Sequence, residues 1–113
     1  DLKNNHKNKL AVFERNIQTI VTLCKSKNIK IILSSYCYYL HPKIKKNILL
    51  KKIEKIVEDE NKIIKKIAKN NNITFVDNAK LIKKNNTNFL DSQHFSSEGM
   101  SVLAKNFSKK IKI

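Results

Sequence analysis

Ile29-Lys30-Ile31-Ile32-Leu33-Ser34-Ser35-Tyr36-Cys37 and Ile73-Thr74-Phe75-Val76-Asp77 stand at the two ends of a long Lys-rich segment, and they decide the fold. Both are rich in β-branched and aromatic residues. The first shows little polar alternation, the pattern of a strand covered on both faces. Between them the chain breaks at His41-Pro42, with Pro42 suited to a first helical turn. Ile44, Ile48, Leu49, Ile53, Ile56 and Val57 then recur at helical spacing, and the pattern runs on through Ile63, Ile64, Ile67 and Ala68. This predicts one long helix or two abutting ones, stopped by Asn70-Asn71-Asn72. Strand, crossover helix, strand in one sheet is a right-handed parallel βαβ unit. The expected class is therefore α/β, with parallel strands near 29–37 and 73–77.

Outward from this unit the chain stays helical. Upstream, Phe13, Ile17, Ile20, Val21 and Cys24 fall on one face of a helix from Leu10 to about Lys25. Downstream, a polar loop through Lys83 to Asn88 leads to Phe89-Leu90-Asp91-Ser92-Gln93-His94-Phe95. Ser96 is then placed to cap a final helix, with Glu98 in its positive first turn and Met100, Leu103, Ala104, Phe107 and Ile111 along one face.

The 113 residues fit one domain at about 100–150 residues per domain. The longest uncharged apolar run, Ile31 to Leu40, falls short of the roughly 18 residues a membrane span needs. Nothing at the N-terminus has the layout of a signal peptide, so the compartment cannot be read. A single glycine, Gly99, removes P-loop and dinucleotide-binding chemistry, which need several glycines at fixed spacing. It also removes the G-x-S-x-G elbow that displays a nucleophilic serine.

The net charge of +15 raises the question of nucleic acid. Only Arg15 is an arginine, however, and no basic stretch is interleaved with stacking aromatics, so a nucleic-acid partner is not expected. Lys, Asn and Ile dominate the chain as AT-rich coding would make them. Cys24 and Cys37 make no C-x-x-C pair, and His6, His41 and His94 are too scattered for a zinc pattern. Two buried free thiols, no metal and no cofactor are the expectation.

One constellation carries chemistry: Asp91-x-x-His94, just ahead of the final helix. Three residues apart in a turn, a carboxylate can accept from one imidazole nitrogen and fix the tautomer, leaving the other nitrogen to act as general base toward a hydroxyl.

Asp91-Ser92-Gln93-His94-Phe95-Ser96-Ser97-Glu98-Gly99-Met100 resembles the last block of the SGNH hydrolases, the GDSL-type lipases and esterases. The helix at Asn61 to Ala68, the strand at Ile73 to Asp77, the helix at Phe13 to Cys24 and the strand at Ile29 to Ser35 are similar to the elements before that block. The resemblance runs from about residue 10 to the end and covers the C-terminal half of the family's domain. It implies a single partial domain over 1–113, part of a three-layer α/β/α, flavodoxin-like fold that cleaves small-molecule esters or acylated substrates. By carry-over, Asp91 orients His94, and His94 activates a serine outside this chain. The family's G-D-S serine, block glycine and block asparagine have no match here, and Asp1 is placed to follow that asparagine. The chain alone is expected to be inactive, lacking nucleophile and oxyanion donors.

Tyr36, Tyr38 and Tyr39 follow the first strand at its carboxyl end, where open α/β sheets place their ligand crevice, so all three, Tyr36 and Tyr38 foremost, are candidates to line an acyl or alcohol pocket of the substrate. Core packing explains them equally. His41 reads as a loop residue or cap and Asp77 as a cap after its strand. Ser34, Ser35, Ser96 and Ser97 lack an elbow. Two other readings stay open from sequence: a small basic α/β module for nucleic acid or an anionic surface, and a non-catalytic member of the same family.

Overall fold

The computed structural model describes residues 2–44 and 46–111, so Asp1 lies outside the described residues. The order is α1 (Leu2–Ser26), β1 (Ile32–Ser34), a 3₁₀ turn (Pro42–Ile44), α2 (Ile48–Asn70), β2 (Thr74–Val76), α3 (Asn78–Leu81) and α4 (Ser97–Ser108). β1 and β2 pair in parallel, with Ile32 opposite Thr74, Leu33 opposite Phe75 and Ser34 opposite Val76. The βαβ unit read from the sequence is thus the centre of the fold, and the class is α/β.

Differences from expectation have local causes. Helix α1 starts earlier than its apolar stripe, carried through its polar first turns by the His6 Nε2 contact to Asp59 of α2 at 3.2 Å. The first strand is three residues long rather than nine, and all three are only half-buried, where cover on both faces was expected. A parallel strand needs layers on both sides, and α2 is the helix packed on this short sheet. The segment 44–68 resolves into one helix after the 3₁₀ turn. Asn47 caps it, its side chain accepting from Leu50 N–H at 3.2 Å.

Both long helices close on an asparagine. Asn28 and Asn72 hold φ of 56° and 54°, the left-handed region that usually falls to glycine. Between the helices, Asn71 and Gln18 exchange two amide hydrogen bonds at 2.9 and 3.1 Å, and Glu14 pairs with Lys66. Val21, Ile67, Ala68, Val76 and Tyr38 are the fully buried apolar side chains of this region.

A second cluster, Cys37, Tyr39, Ile82 and Phe89, packs with Phe95, Val102 and Leu103. The inward face of α4 is therefore set by Val102 and Leu103. Met100 and Ile111, expected on that face, are each about half exposed, and the helix ends at Ser108 before Ile111 is reached. Among the described residues no helix is long and apolar enough to cross a membrane.

Candidate active site

The site loop is built from the strand ends outward. At the carboxyl ends of β1 and β2 a polar network replaces the apolar core. Ser35 Oγ donates to Asp77 Oδ1 at 2.8 Å and accepts from Ala79 N–H at 2.8 Å. Asn78, fully buried, donates to Ser34 Oγ at 2.7 Å and accepts from Asn106 of α4 at 3.0 Å. These bonds satisfy groups that would otherwise be costly to bury, and they fix α3 and α4 against the strands. Asp77 stands at the N-cap of α3 but makes no side-chain cap bond; Ser35 has taken its carboxylate, a partner that local sequence does not reveal.

From α3 the chain returns to the site through a short antiparallel bridge between Phe89 and Phe95, whose rings lie 4.9 Å apart. Leu90 N–H donates to His94 C=O at 2.8 Å and closes the loop. Tyr39 N–H donates to Ser92 C=O at 3.0 Å, tying the segment after β1 to the same loop. Its other end is fastened by Ser96, which caps α4 through Gly99 N–H at 3.1 Å and donates to Thr87 C=O.

Within this frame the side chains of Asp91 and His94 come into contact. Asp91 Oδ1 accepts from Gln93 N–H and His94 N–H, both at 2.8 Å, so the carboxylate holds the turn that carries its partner. His94 Nδ1 lies 2.9 Å from Asp91 Oδ1 and 2.8 Å from Oδ2. A carboxylate only accepts, so in the neutral ring Nδ1 carries the proton and Nε2 is the unprotonated nitrogen. The Gln93 N–H, then the His94 ring, then the His94 N–H hold the Asp91 carboxyl below the ordinary carboxylate range. The side chains of His94 and Asp91 are 72% and 59% exposed, so water reaches the pair freely. An open pair of this kind gains little energy from its contact; its worth lies in geometry.

The tyrosines divide. Tyr36 is half exposed, and Asn61 of α2 holds both its backbone groups, accepting at 2.7 Å and donating at 2.9 Å. Tyr38 is 2% exposed, a core side chain within this chain, and its hydroxyl has no hydrogen-bond partner among the described residues. Tyr39, a pocket-lining candidate in the sequence with the other two, lines a groove of about 430 Å³ with Leu40, Pro42, Lys51, Glu54 and Lys84. Its hydroxyl donates to Asn86 at 3.0 Å and its ring stacks on Phe89 at 5.3 Å. His41 acts as a cap: its Nδ1 accepts from Lys43 N–H at 3.0 Å. Both cysteines are free, with Cys37 buried and Cys24 only half-buried. Among the described residues no group of three His, Cys, Asp or Glu side chains is placed to hold a metal ion.

No family model and no curated protein matches the chain. Among solved structures it is similar to a GDSL-like lipase from Bacteroides thetaiotaomicron VPI-5482, with a TM-score of 0.71 and 23% identity over 86% of this chain. At that identity the likeness shows a shared fold. The chain spans 49% of the length of that lipase.

Proposed function

We propose that this chain is the C-terminal part of an SGNH-type serine hydrolase domain, and that it supplies the general base His94 and its orienting carboxylate Asp91. The single observation that carries the reading is the engagement of His94 Nδ1 by Asp91 at 2.8 Å in a turn that Asp91 itself organises, with Nε2 left over. The fold shared with a GDSL-like lipase supports the reading, and so does the position of the pair ahead of α4.

In this mechanism a serine outside the chain is the nucleophile. His94 Nε2 takes its proton as the hydroxyl attacks an ester or acyl carbonyl, then returns it to the leaving alcohol. Asp91 holds the ring and stabilises the imidazolium formed between those steps. The chain offers no nucleophile elbow, so the base and its orienter alone cannot complete acyl transfer.

Hydrolysis of a short p-nitrophenyl ester tests this. The isolated 113-residue protein is expected to leave the ester intact. The longer polypeptide encoded by its open reading frame is expected to cleave it, and to lose at least about 10³-fold in kcat on His94→Ala. Turnover by the isolated chain that His94→Ala abolishes would overturn the reading. So would a longer polypeptide indifferent to His94→Ala.

A further inference from the structure

Pro42 to Ile53 is a basic stretch that the proposed chemistry leaves unused: it holds five lysines and no acidic residue. No Asp or Glu falls anywhere between Glu14 and Glu54. Lys43, Lys46, Lys51 and Lys52 are all exposed, and none of the four makes an ion pair among the described residues. Between them stand Ile48 and Leu49, the first two residues of α2, 72% and 66% exposed. A single exposed apolar side chain is ordinary on a surface. Two adjacent ones at a helix start, set among unpaired lysines, combine an apolar contact with a positive field in one place.

The topology places this stretch beside the site loop. Asn61 of α2 holds the backbone of Tyr36, just beyond β1. Ile48 lies about 20 Å of helix further on, at about 1.5 Å per residue, so α2 starts well past the carboxyl ends of the strands. There Lys51 and Glu54 line one groove with Tyr39, Leu40, Pro42 and Lys84. Tyr39 N–H in turn donates to Ser92 C=O of the site loop. Ile48, Leu49 and the site loop therefore stand at one end of the sheet, and so does Leu90, the 76% exposed neighbour of Asp91.

We infer that the start of α2 is a docking surface for an anionic lipid bilayer, with Ile48 and Leu49 entering the headgroup boundary and the lysines on either side meeting the lipid phosphates. Peripheral binding of this kind needs both parts: a small apolar contact is marginal alone, and a polybasic segment supplies the second signal. Lysine suits the task, because its aliphatic stem lies along apolar surface while its ammonium stays at the polar level. Nucleic acid fits less well. It rewards arginine forks and stacking aromatics, and Pro42 to Ile53 has neither while exposing two aliphatic side chains. A second copy of this chain is disfavoured as occupant, since it would bring two bodies of +15 together. Docked through α2, the protein turns the end of the sheet that carries Asp91 and His94 toward the bilayer. The surface stands on charge, exposure and topology, independently of the hydrolase reading.

Sedimentation with lipid vesicles tests the inference, on the 113-residue protein and on the longer polypeptide of its open reading frame. Both are expected to bind phosphatidylcholine vesicles containing phosphatidylglycerol at least about tenfold more tightly than phosphatidylcholine alone, and less so as salt rises. Ile48→Ser with Leu49→Ser keeps every charge and is expected to weaken binding at least about fivefold. Lys43→Gln with Lys46→Gln is expected to weaken it likewise. All four side chains are exposed, so circular dichroism and Tm are expected to be unchanged. Lys105→Gln with Lys109→Gln, at the end of α4, is expected to change binding less than about twofold. Equal loss in that variant would overturn the inference by making binding a property of net charge. So would vesicle binding indifferent to Ile48→Ser with Leu49→Ser, or tighter binding to an oligonucleotide than to the vesicles. Binding by the 113-residue protein that the longer polypeptide lacks would also overturn it, since other polypeptide would then cover the start of α2. Ester hydrolysis on the same samples separates the two proposals. Vesicle binding by a longer polypeptide without turnover sinks the hydrolase reading alone, and turnover without vesicle binding sinks the docking surface alone.

Discussion

The backbone carbonyl of Asn88 occupies the place where a Cβ on Gly99 would stand: its carbon lies 2.9 Å from that point, with Phe95 Cδ1 at 3.0 Å. The same carbonyl accepts from Ser96 N–H at 2.9 Å, so the first turn of α4 is pressed onto the end of the site loop. Gly99→Ala therefore sets two effects against each other. Helix propensity favours alanine by about 1 kcal/mol, while forcing backbone from backbone costs about 1–3 kcal/mol. The clash is with main chain, which cannot swing aside, and the variant is expected to be less stable. Denaturant unfolding reads the sign directly, and a stabilised variant would show that α4 does not seat this tightly.

Asp91 holds the turn with two backbone N–H groups before it touches the imidazole, and this ordering has a pH signature. Its carboxyl is held below the ordinary range. The contribution of these bonds is therefore present above the unfolded carboxyl pKa and is lost as pH falls through the lower folded value. Near neutral pH the His94 ring is expected to be the Nδ1–H tautomer in long-range ¹H–¹⁵N spectra, turning toward Nε2–H in Asp91→Asn. A wild-type ring already in the Nε2–H form would contradict the geometry.

The two thiols are expected to behave differently. Burial pushes the Cys37 thiol up to about 11; the charge of Lys84 pulls it down against that, and Asp77 adds to the rise. Since the thiolate is the reactive form, iodoacetamide at pH 8 is expected to alkylate half-buried Cys24 well ahead of Cys37, with the difference vanishing in denaturant. Equal rates on the folded protein would mean that the cluster of Tyr39, Ile82 and Phe89 around Cys37 opens readily.

Much of the site was legible because it is local. Asp91 and His94 sit three residues apart, and Ser96 and Gly99 report a capped helix start, so a short window of sequence contains the geometry. The α/β class followed from two apolar stretches flanking a helical repeat. Long-range polar bonds were hidden. Nothing near Asp77 announces that Ser35, 42 residues away, takes its carboxylate, nor that Asn61 will hold the backbone of Tyr36. Strand length was overread for a related reason. Residues 35–39 have the composition of a strand, yet they leave the sheet to join the site loop through Tyr39 and Ser92.

Asn28 and Asn72 carry a consequence for engineering. A chain with one glycine has given its left-handed helix ends to the next most tolerant residue, and each position keeps some of the steric cost that a Cβ brings there. Asn72→Gly and Asn28→Gly remove that cost at the folded end but loosen the unfolded chain. The balance is expected to fall within about 1 kcal/mol per site, against about 1 kcal/mol or more lost with a β-branched residue. The helix ends are thus open to redesign without touching Asp91 or His94.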